Sequence, residues 1–487
     1  MEALYTNVVS IKDLDKEVAN ILSNRYKLQN ANLSNSIATL TDYLKELRQD
    51  LFVVVEQPYV DKTYRDTYYK YFASKRDDYP RNTIRLSFFK IQIEENDFRK
   101  PEKIDELQNN YLGFLIVRPT FPFVIGRSVI SPDAFNQNNF IACKVTYNAT
   151  VNGLKFKVTG FPHSSQDQET ITCAETTVWS ILEYFGNRYA EYRPSLPSQV
   201  NEVLGKFSFE RLVPSKGLTA GQISYALREF GFGVKIYSKN HYKEEFERLL
   251  KVYVESGIPV VGVVQNNLGI GHALNIIGRN KITQDAIDKL APFKTIGTGV
   301  NVFDFADIDL EYIFIDDNYP PYRSTKLQTP ASYYIDPKWA NCQITSFIVP
   351  LYPKIYMEAG EARKTALALI EELNLITNKD ILIKSFLASS RSFKNEIALN
   401  SSLDSDAKEL LLSISMPKFI WVMEITDKKL VMNNLATGMV VLDATEPKRF
   451  GIIAALIENY YIANDLTTFT KIDLPLQTFS SYQNNLK

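Results

Sequence analysis

Between Asp13 and about Asp50, apolar residues recur at three- and four-residue intervals: Leu14, Val18, Ile21 and Leu22, then Leu40, Leu44 and Leu47. That spacing lines one face of a helix, and Ser10 and Asp13 stand in capping-box positions, so one or two helices are predicted to open the chain. The period then changes. FVVVE reads as a strand, YVDKTYRDTYYKYFASKR as a helix, TIRLSFFKIQI as a strand and YLGFLIVRPTFPFVIGRSVI as one or two more. An α+β N-terminal domain over residues 1–150 follows from this pattern.

Residues 151–352 read as helix first and strand later. Helices are predicted from Thr172 to Phe185, from Leu218 to Phe230 and from about Tyr242 to Glu255. The strands PVVGVVQ, HALNIIG, YIFID and ITSFIVPLY come after them. This is one helical half and one sheet half. Residues 353–487 hold the helix EARKTALALIEEL, a further helical stretch ending near Ile414, and the predicted strands FIWVMEI, KLVMNN and GMVVLDA. They form a smaller C-terminal α+β region.

Composition narrows the class. At 487 residues the chain has room for two to four domains, and 45% hydrophobic with 23% charged residues is the balance of an ordinary folded protein. Lys and Arg number 55 against 56 Asp and Glu, a net charge of −1, so no overall field draws the chain to nucleic acid or to an anionic membrane. The N-terminus lacks a basic start followed by an apolar core. The longest apolar runs fall well short of the roughly 18 residues of a membrane span. Cys143, Cys173 and Cys342 are far apart, with no C-x-x-C pair. A reducing, cytoplasmic setting without a membrane is the expectation.

Three histidines limit where imidazole chemistry can lie. His241, in SKNHYKEEF, reads as a solvated side chain, and His163, in TGFPHSSQ, as a surface or capping residue of a loop. His272, in GIGHALNIIG, starts an apolar strand after a glycine-rich turn that leaves one face of its ring open. Cys143 and Cys342 lie in apolar segments and read as packing residues. Cys173, in TITCAETTVWSILEYFG, follows Thr172, which stands three residues before Glu175 as a helix cap. The first turn of that helix offers a thiolate the positive end of the dipole and unpaired N–H groups. Gln166 and Gln168 lie seven and five residues ahead, where a side-chain amide could join the Cys173 backbone N–H as an oxyanion donor. After YIFI come Asp316, Asp317 and Asn318, any of which could orient an imidazole on the neighbouring strand.

This order of nucleophile, base and orienting acid resembles the papain-like cysteine peptidases, and most closely the branch with the bacterial double-glycine leader peptidases. The residues that carry the resemblance are the glutamine-rich approach to the Cys173 helix with its Tyr184, Phe185 and Gly186 ending, then GLTAGQISYALREFGFGVKIY, SGIPVVGVV, GHALNIIG and YIFIDD. They span about Gln166 to Asp317. The resemblance implies a papain-like fold in the central region and a triad of Cys173, His272 and Asp316 or Asp317, with Gln168 or Gln166 in the oxyanion hole. Two positions depart from the family pattern: Ala174 stands where glycine usually follows the nucleophile, and Asp167 stands where the glutamine usually lies. Residues from about Asn280 to Asp309 form an insert that reads as a lid, a substrate-binding element or a partner surface.

The reading is therefore a cysteine hydrolase cleaving a peptide or isopeptide bond. A transglutaminase-like acyltransferase with the same triad and an inactive binding or regulatory module are the alternatives. A protein or peptide substrate and a regulatory protein partner on the flanking domains are expected. Seven Lys/Arg and three Asp between Tyr64 and Lys90, interleaved with tyrosines, have the composition of a single-stranded nucleic-acid site, but at helical spacing they read better as one packed and one solvated face. No Walker motif, H-E-x-x-H or dinucleotide fingerprint is present, so neither a cofactor nor a metal is expected.

Overall fold

The computed structural model describes residues 4–28, 30–75, 79–167, 173–207, 218–297, 299–373, 376, 380–446, 451–464, 469–474 and 477–486. The chain is mixed α+β, built on three large and mainly antiparallel sheets. Among the described residues no helix is long and apolar enough to cross a membrane.

The first sheet has the spatial order Tyr5–Ser10, Phe52–Tyr59, Thr83–Phe89, Tyr111–Val117, Ile125–Ile130, Leu154–His163, Val145–Val151. The amphipathic helix Leu14–Asn24 buries Leu14, Val18, Ile21 and Leu22 in the main core, and Leu40, Tyr43 and Leu44 of the helix Asn30–Leu44 join them. The last two strands form a hairpin that the reading above passed over. It turns at Asn152 and Gly153, both at positive φ (46° and 86°), which is what a two-residue hairpin turn demands and what Asn-Gly supplies at little cost. The buried alternation of Val145, Tyr147, Ala149 and Val151 is the signal that could have revealed it. This hairpin carries the first sheet past residue 150 to His163.

The second sheet has the order Arg323–Thr325, Tyr312–Ile315, Gly271–Asn280, Val260–Gln265, Gln343–Leu351, Gly233–Ser238, all antiparallel. Phe140–Ala142 pairs with the far end of Gly271–Asn280. That approach is possible because position 278 is glycine; a Cβ there would collide with the Ile141 carbonyl and Ala142. The helix Cys173–Arg188 packs on this sheet, almost wholly buried from Ala174 to Phe185. Glu183 on that helix is fully buried and accepts from Lys62 at 3.2 Å, while the Tyr147 hydroxyl donates to its carbonyl, which ties the helix to the first sheet.

The third sheet, in the order Lys294–Ile296, Val300–Asp304, Ile381–Ser389, Phe419–Thr426, Gly438–Asp443, Ile452–Ile457, Tyr460–Asn464, Phe469–Asp473, has a core on each face. Along Phe419–Thr426, Trp421 and Met423 point into the main core. Ile420 and Val422 point into a second one with Phe393 and Ile397, the two-residue period of a strand buried on both sides. Val300–Asp304 runs parallel to Ile381–Ser389, and Asp304 is ion-paired with Arg363 of the helix Ala359–Leu373. The expected insert is thus partly built into this sheet, which argues against a free lid. The predicted strand KLVMNN is instead a turn and a short 3-10 segment, Val431–Asn433, because Asp427 Oδ1 accepts from the Lys429 and Leu430 backbone N–H groups and curls the chain.

Candidate active site

Cys173 is the first residue of its helix and the one cysteine of the three that is only partly buried. The helix is fastened to the His272 strand by polar contacts as well as by packing. Thr177 Oγ1 donates to the carbonyls of Cys173 (2.7 Å) and Ala273 (3.1 Å), and Asn275 Nδ2 donates to Ser180 Oγ (2.7 Å) and the Thr177 carbonyl (3.2 Å). Nucleophile and imidazole are therefore held on two elements locked to one another. Thr172 and Gln168 lie outside the described residues.

His272 is the second residue of its strand and 7% exposed. Antiparallel pairing of Asn275 with Ile315 brings the end of Tyr312–Ile315 beside it, so the next residue, Asp316, sits at the ring. His272 Nε2 lies 3.0 Å from Asp316 Oδ1 and 3.8 Å from Asp317 Oδ1. The Cys173 side chain lies close enough to the same ring to act on it through a hydrogen bond and through charge. With Nε2 given to Asp316, Nδ1 is the nitrogen left for the thiol. Tyr334 and Trp339 stand edge-on to the ring, with centroids 6.2 and 5.9 Å away.

Asp316 is fully buried and richly solvated by protein. Oδ1 accepts from His272 and from the Asn318 N–H (3.0 Å); Oδ2 accepts from the Tyr333 and Tyr334 hydroxyls (2.8 and 2.9 Å). Burial alone would raise its pKa, but the His272 charge and these donors reverse that and hold it below the ordinary carboxylate value. Burial likewise disfavours a charged His272, yet the Asp316 carboxylate, helped by Cys173, outweighs it and raises the imidazole well above its usual value. Asp317 differs: burial, with the Asp316 charge beside it, pushes its pKa up to about 7, and neither of its oxygens has a hydrogen-bond partner among the described residues. Cys143 is sealed in the core, where burial raises its thiol to about 12, and burial also raises Cys342.

Three placements depart from expectation. His163 is not on the surface: it is 1% exposed, with Nδ1 3.3 Å from Ser128 Oγ and Nε2 3.2 Å from the Asp316 carbonyl, because the missed hairpin delivers it to the back of the site. Asn318 does not orient His272. Its backbone N–H supports Asp316, and its side chain takes Gln166 Nε2 and donates to the Tyr334 hydroxyl. Gln166 is therefore at the site, but its amide is turned toward Asn318. His241 is exposed, as expected.

Four residues were missed. Arg118, buried just past the strand Tyr111–Val117, donates through Nη2 to the carbonyls of Ser165 (2.8 Å) and Gln166 (2.7 Å) and so pins the approach to Cys173. Tyr333, Tyr334 and Trp339 lie in a loop whose sequence, ASYYIDPKWAN, carries no local mark of chemistry.

His272, Asp316 and Asp317 bring one nitrogen and two oxygens within 4.8 Å of one another, the grouping among the described residues that could hold a metal ion. The two Asp316 oxygens already take four donors, the capacity of a carboxylate, so the trio is better described as a hydrogen-bonded acid–base set. The arrangement sets an imidazole, oriented by a buried carboxylate and held well above its usual pKa, beside a partly exposed thiol. No family model and no curated protein matches this chain.

Proposed function

We propose that the chain is a papain-like cysteine hydrolase that cleaves a peptide or isopeptide bond through a thioester. The observation that carries the reading is His272, set between the Cys173 thiol and an Asp316 carboxylate that four donors keep ionised. A partly exposed cysteine at a helix start, packed against an antiparallel sheet with a histidine second in the strand Gly271–Asn280, also supports the papain-like arrangement.

His272 Nδ1 takes the Cys173 proton, giving thiolate and imidazolium, and the helix start favours the anion. The sulfur attacks the carbonyl. The Cys173 backbone N–H receives the developing oxyanion together with a glutamine amide, either that of Gln168 or that of Gln166 once it has released Asn318. The imidazolium gives its proton to the leaving amine; then, as a base, His272 draws a proton from water, which cleaves the thioester. Asp316 holds the ring in the tautomer that presents Nδ1 to sulfur throughout. An amine in place of water would make the same site an acyltransferase. The first and third sheets offer the surfaces through which a protein partner would regulate it.

Intact-mass analysis after incubation with peptide and isopeptide libraries, with and without added amines, tests the reading. An acyl adduct on Cys173 and a hydrolysed product are expected, both lost in Cys173→Ala. Turnover that survives in Cys173→Ala contradicts it, and an amide product formed with added amine assigns acyl transfer instead.

A further inference from the structure

Asp316 and Asp317 are neighbours in sequence and are both buried, yet they are treated oppositely. Asp316 has four donors. Asp317 takes no hydrogen bond from any other described residue, although its Oδ1 lies 3.8 Å from the same His272 nitrogen. A carboxyl without donors beside a saturated one needs another explanation than packing. Behind it lies a small polar void with room for about one water, lined by Asp317, Asn275, Ser180, Thr177 and His163 among others. Asn275 Oδ1, another buried acceptor without a donor among the described residues, belongs to a residue lining the same void. Two buried residues with unpaired acceptors around a water-sized polar space are the setting in which an ordered water bridges protein groups.

We propose that Asp317 is a second positioning carboxylate, which shares the His272 imidazolium with Asp316 and exchanges its own proton with solvent through the water-sized void behind the Cys173 helix. The proposal rests on the reading of Cys173 and His272 as the catalytic pair and adds to it a charge that changes with pH. Protonated, Asp317 tolerates its place beside Asp316 and leaves His272 to one carboxylate. When the proton leaves for solvent, no other bond changes, and a second negative charge stands 3.8 Å from the ring. The imidazolium is then held to higher pH. The value of about 7 for Asp317 puts this change near neutrality.

The charged and titratable groups around Asp317 come from every element packed on it. They are His272 from its strand, which Cys173 also faces, Glu175 from the Cys173 helix, His163 from the hairpin, Arg118 from the first sheet, Asp316 beside it and Tyr334 from the covering loop. Arg118 is the fixed cation of the set, and Asp167 shares its charge, so it does not by itself ionise Asp317.

The chain has three histidines, so the ring resonances of His163, His241 and His272 can be assigned by single substitution and followed by NMR in the full-length protein. In Asp317→Asn the midpoint at which His272 loses its proton should fall by about one pH unit or more, the effect of removing an opposite charge within 4–6 Å. Asp317→Glu should restore most of it. A merely structural Asp317 would change thermal stability and leave the His272 midpoint where it is. Equal midpoints in wild type and a folded Asp317→Asn overturn the proposal; if that variant does not fold, Asp317→Ser, which leaves space for water, gives the same readout. Cys173 reactivity, measured separately, tells failure of the catalytic reading from failure of this one.

Discussion

His163 and His272 are both buried, and both touch Asp316, yet they are driven in opposite directions. His163 bonds to the Asp316 carbonyl and the Ser128 hydroxyl and has no hydrogen bond to the Asp316 carboxylate, so burial outweighs the backbone bonds and the more distant Asp316 charge and lowers its pKa to about 4. His272 meets the carboxylate of the same residue, and the charge overrides the same burial. Position on a buried face does not make a base; a fixed counter-charge does. The difference also divides the labour. His163 is a neutral strut linking the first sheet, through Ser128 and Tyr43, to the backbone of the acid, whereas His272 is the ring that can hold a proton beside sulfur.

The comparison breaks most severely if Asp316 loses its charge. In Asp316→Asn the His272 ring keeps its burial but loses its hydrogen-bonded counter-ion, with only Asp317 at 3.8 Å left beside it, and its pKa should fall toward that of His163. Alkylation of Cys173 at mildly acidic pH should slow by roughly 10²–10⁴-fold, the range lost when an acid–base partner is removed. An unchanged rate would mean that the charge of Asp316 is not what separates the two histidines.

A smaller effect sharpens the other side. The unfolded chain protonates His163 near pH 6.5, while the folded protein resists down to about pH 4, so between these values the unfolded state binds more protons. Stability is then present above the unfolded value and lost as pH falls through that window, by on the order of 3 kcal/mol from this one group. His163→Gln, which keeps a side-chain amide for Ser128, should flatten the acid side of a urea-unfolding profile measured between pH 7 and pH 4. A wild-type acid slope in that variant would place His163 elsewhere than in a dry pocket.

What could be read from sequence here was local. Cys173 declared itself through a helix start, His272 through a glycine turn before an apolar strand, and Asp316 through the end of the next strand; each signal lies within a few residues of its subject. The choice between Asp316 and Asp317 was not local, because it depends on Tyr333 and Tyr334 reaching back from a loop 17 and 18 residues on. His163 was misread because the Asn152-Gly153 turn went unrecognised, and with it the hairpin that carries the ring inward. Arg118 and Trp339 act across sheets, through carbonyls and ring faces that no spacing encodes. The α+β class and the strands Val260–Gln265, Gly271–Asn280 and Tyr312–Ile315 were legible in the apolar period. The joining of Val300–Asp304 to the third sheet was not, since parallel pairing with a strand some 80 residues away leaves no local trace.

The central claim is that Cys173 and His272 form an ion pair, and the chain provides its own controls. Iodoacetamide labelling of Cys143, Cys173 and Cys342, followed by peptide mass spectrometry at mildly acidic pH in wild type and His272→Ala, tests it most directly. The account predicts rapid labelling at Cys173, slow labelling at the two buried thiols, and loss of the rapid phase in His272→Ala. A Cys173 as inert as Cys143, or one whose reactivity is indifferent to His272, would contradict it.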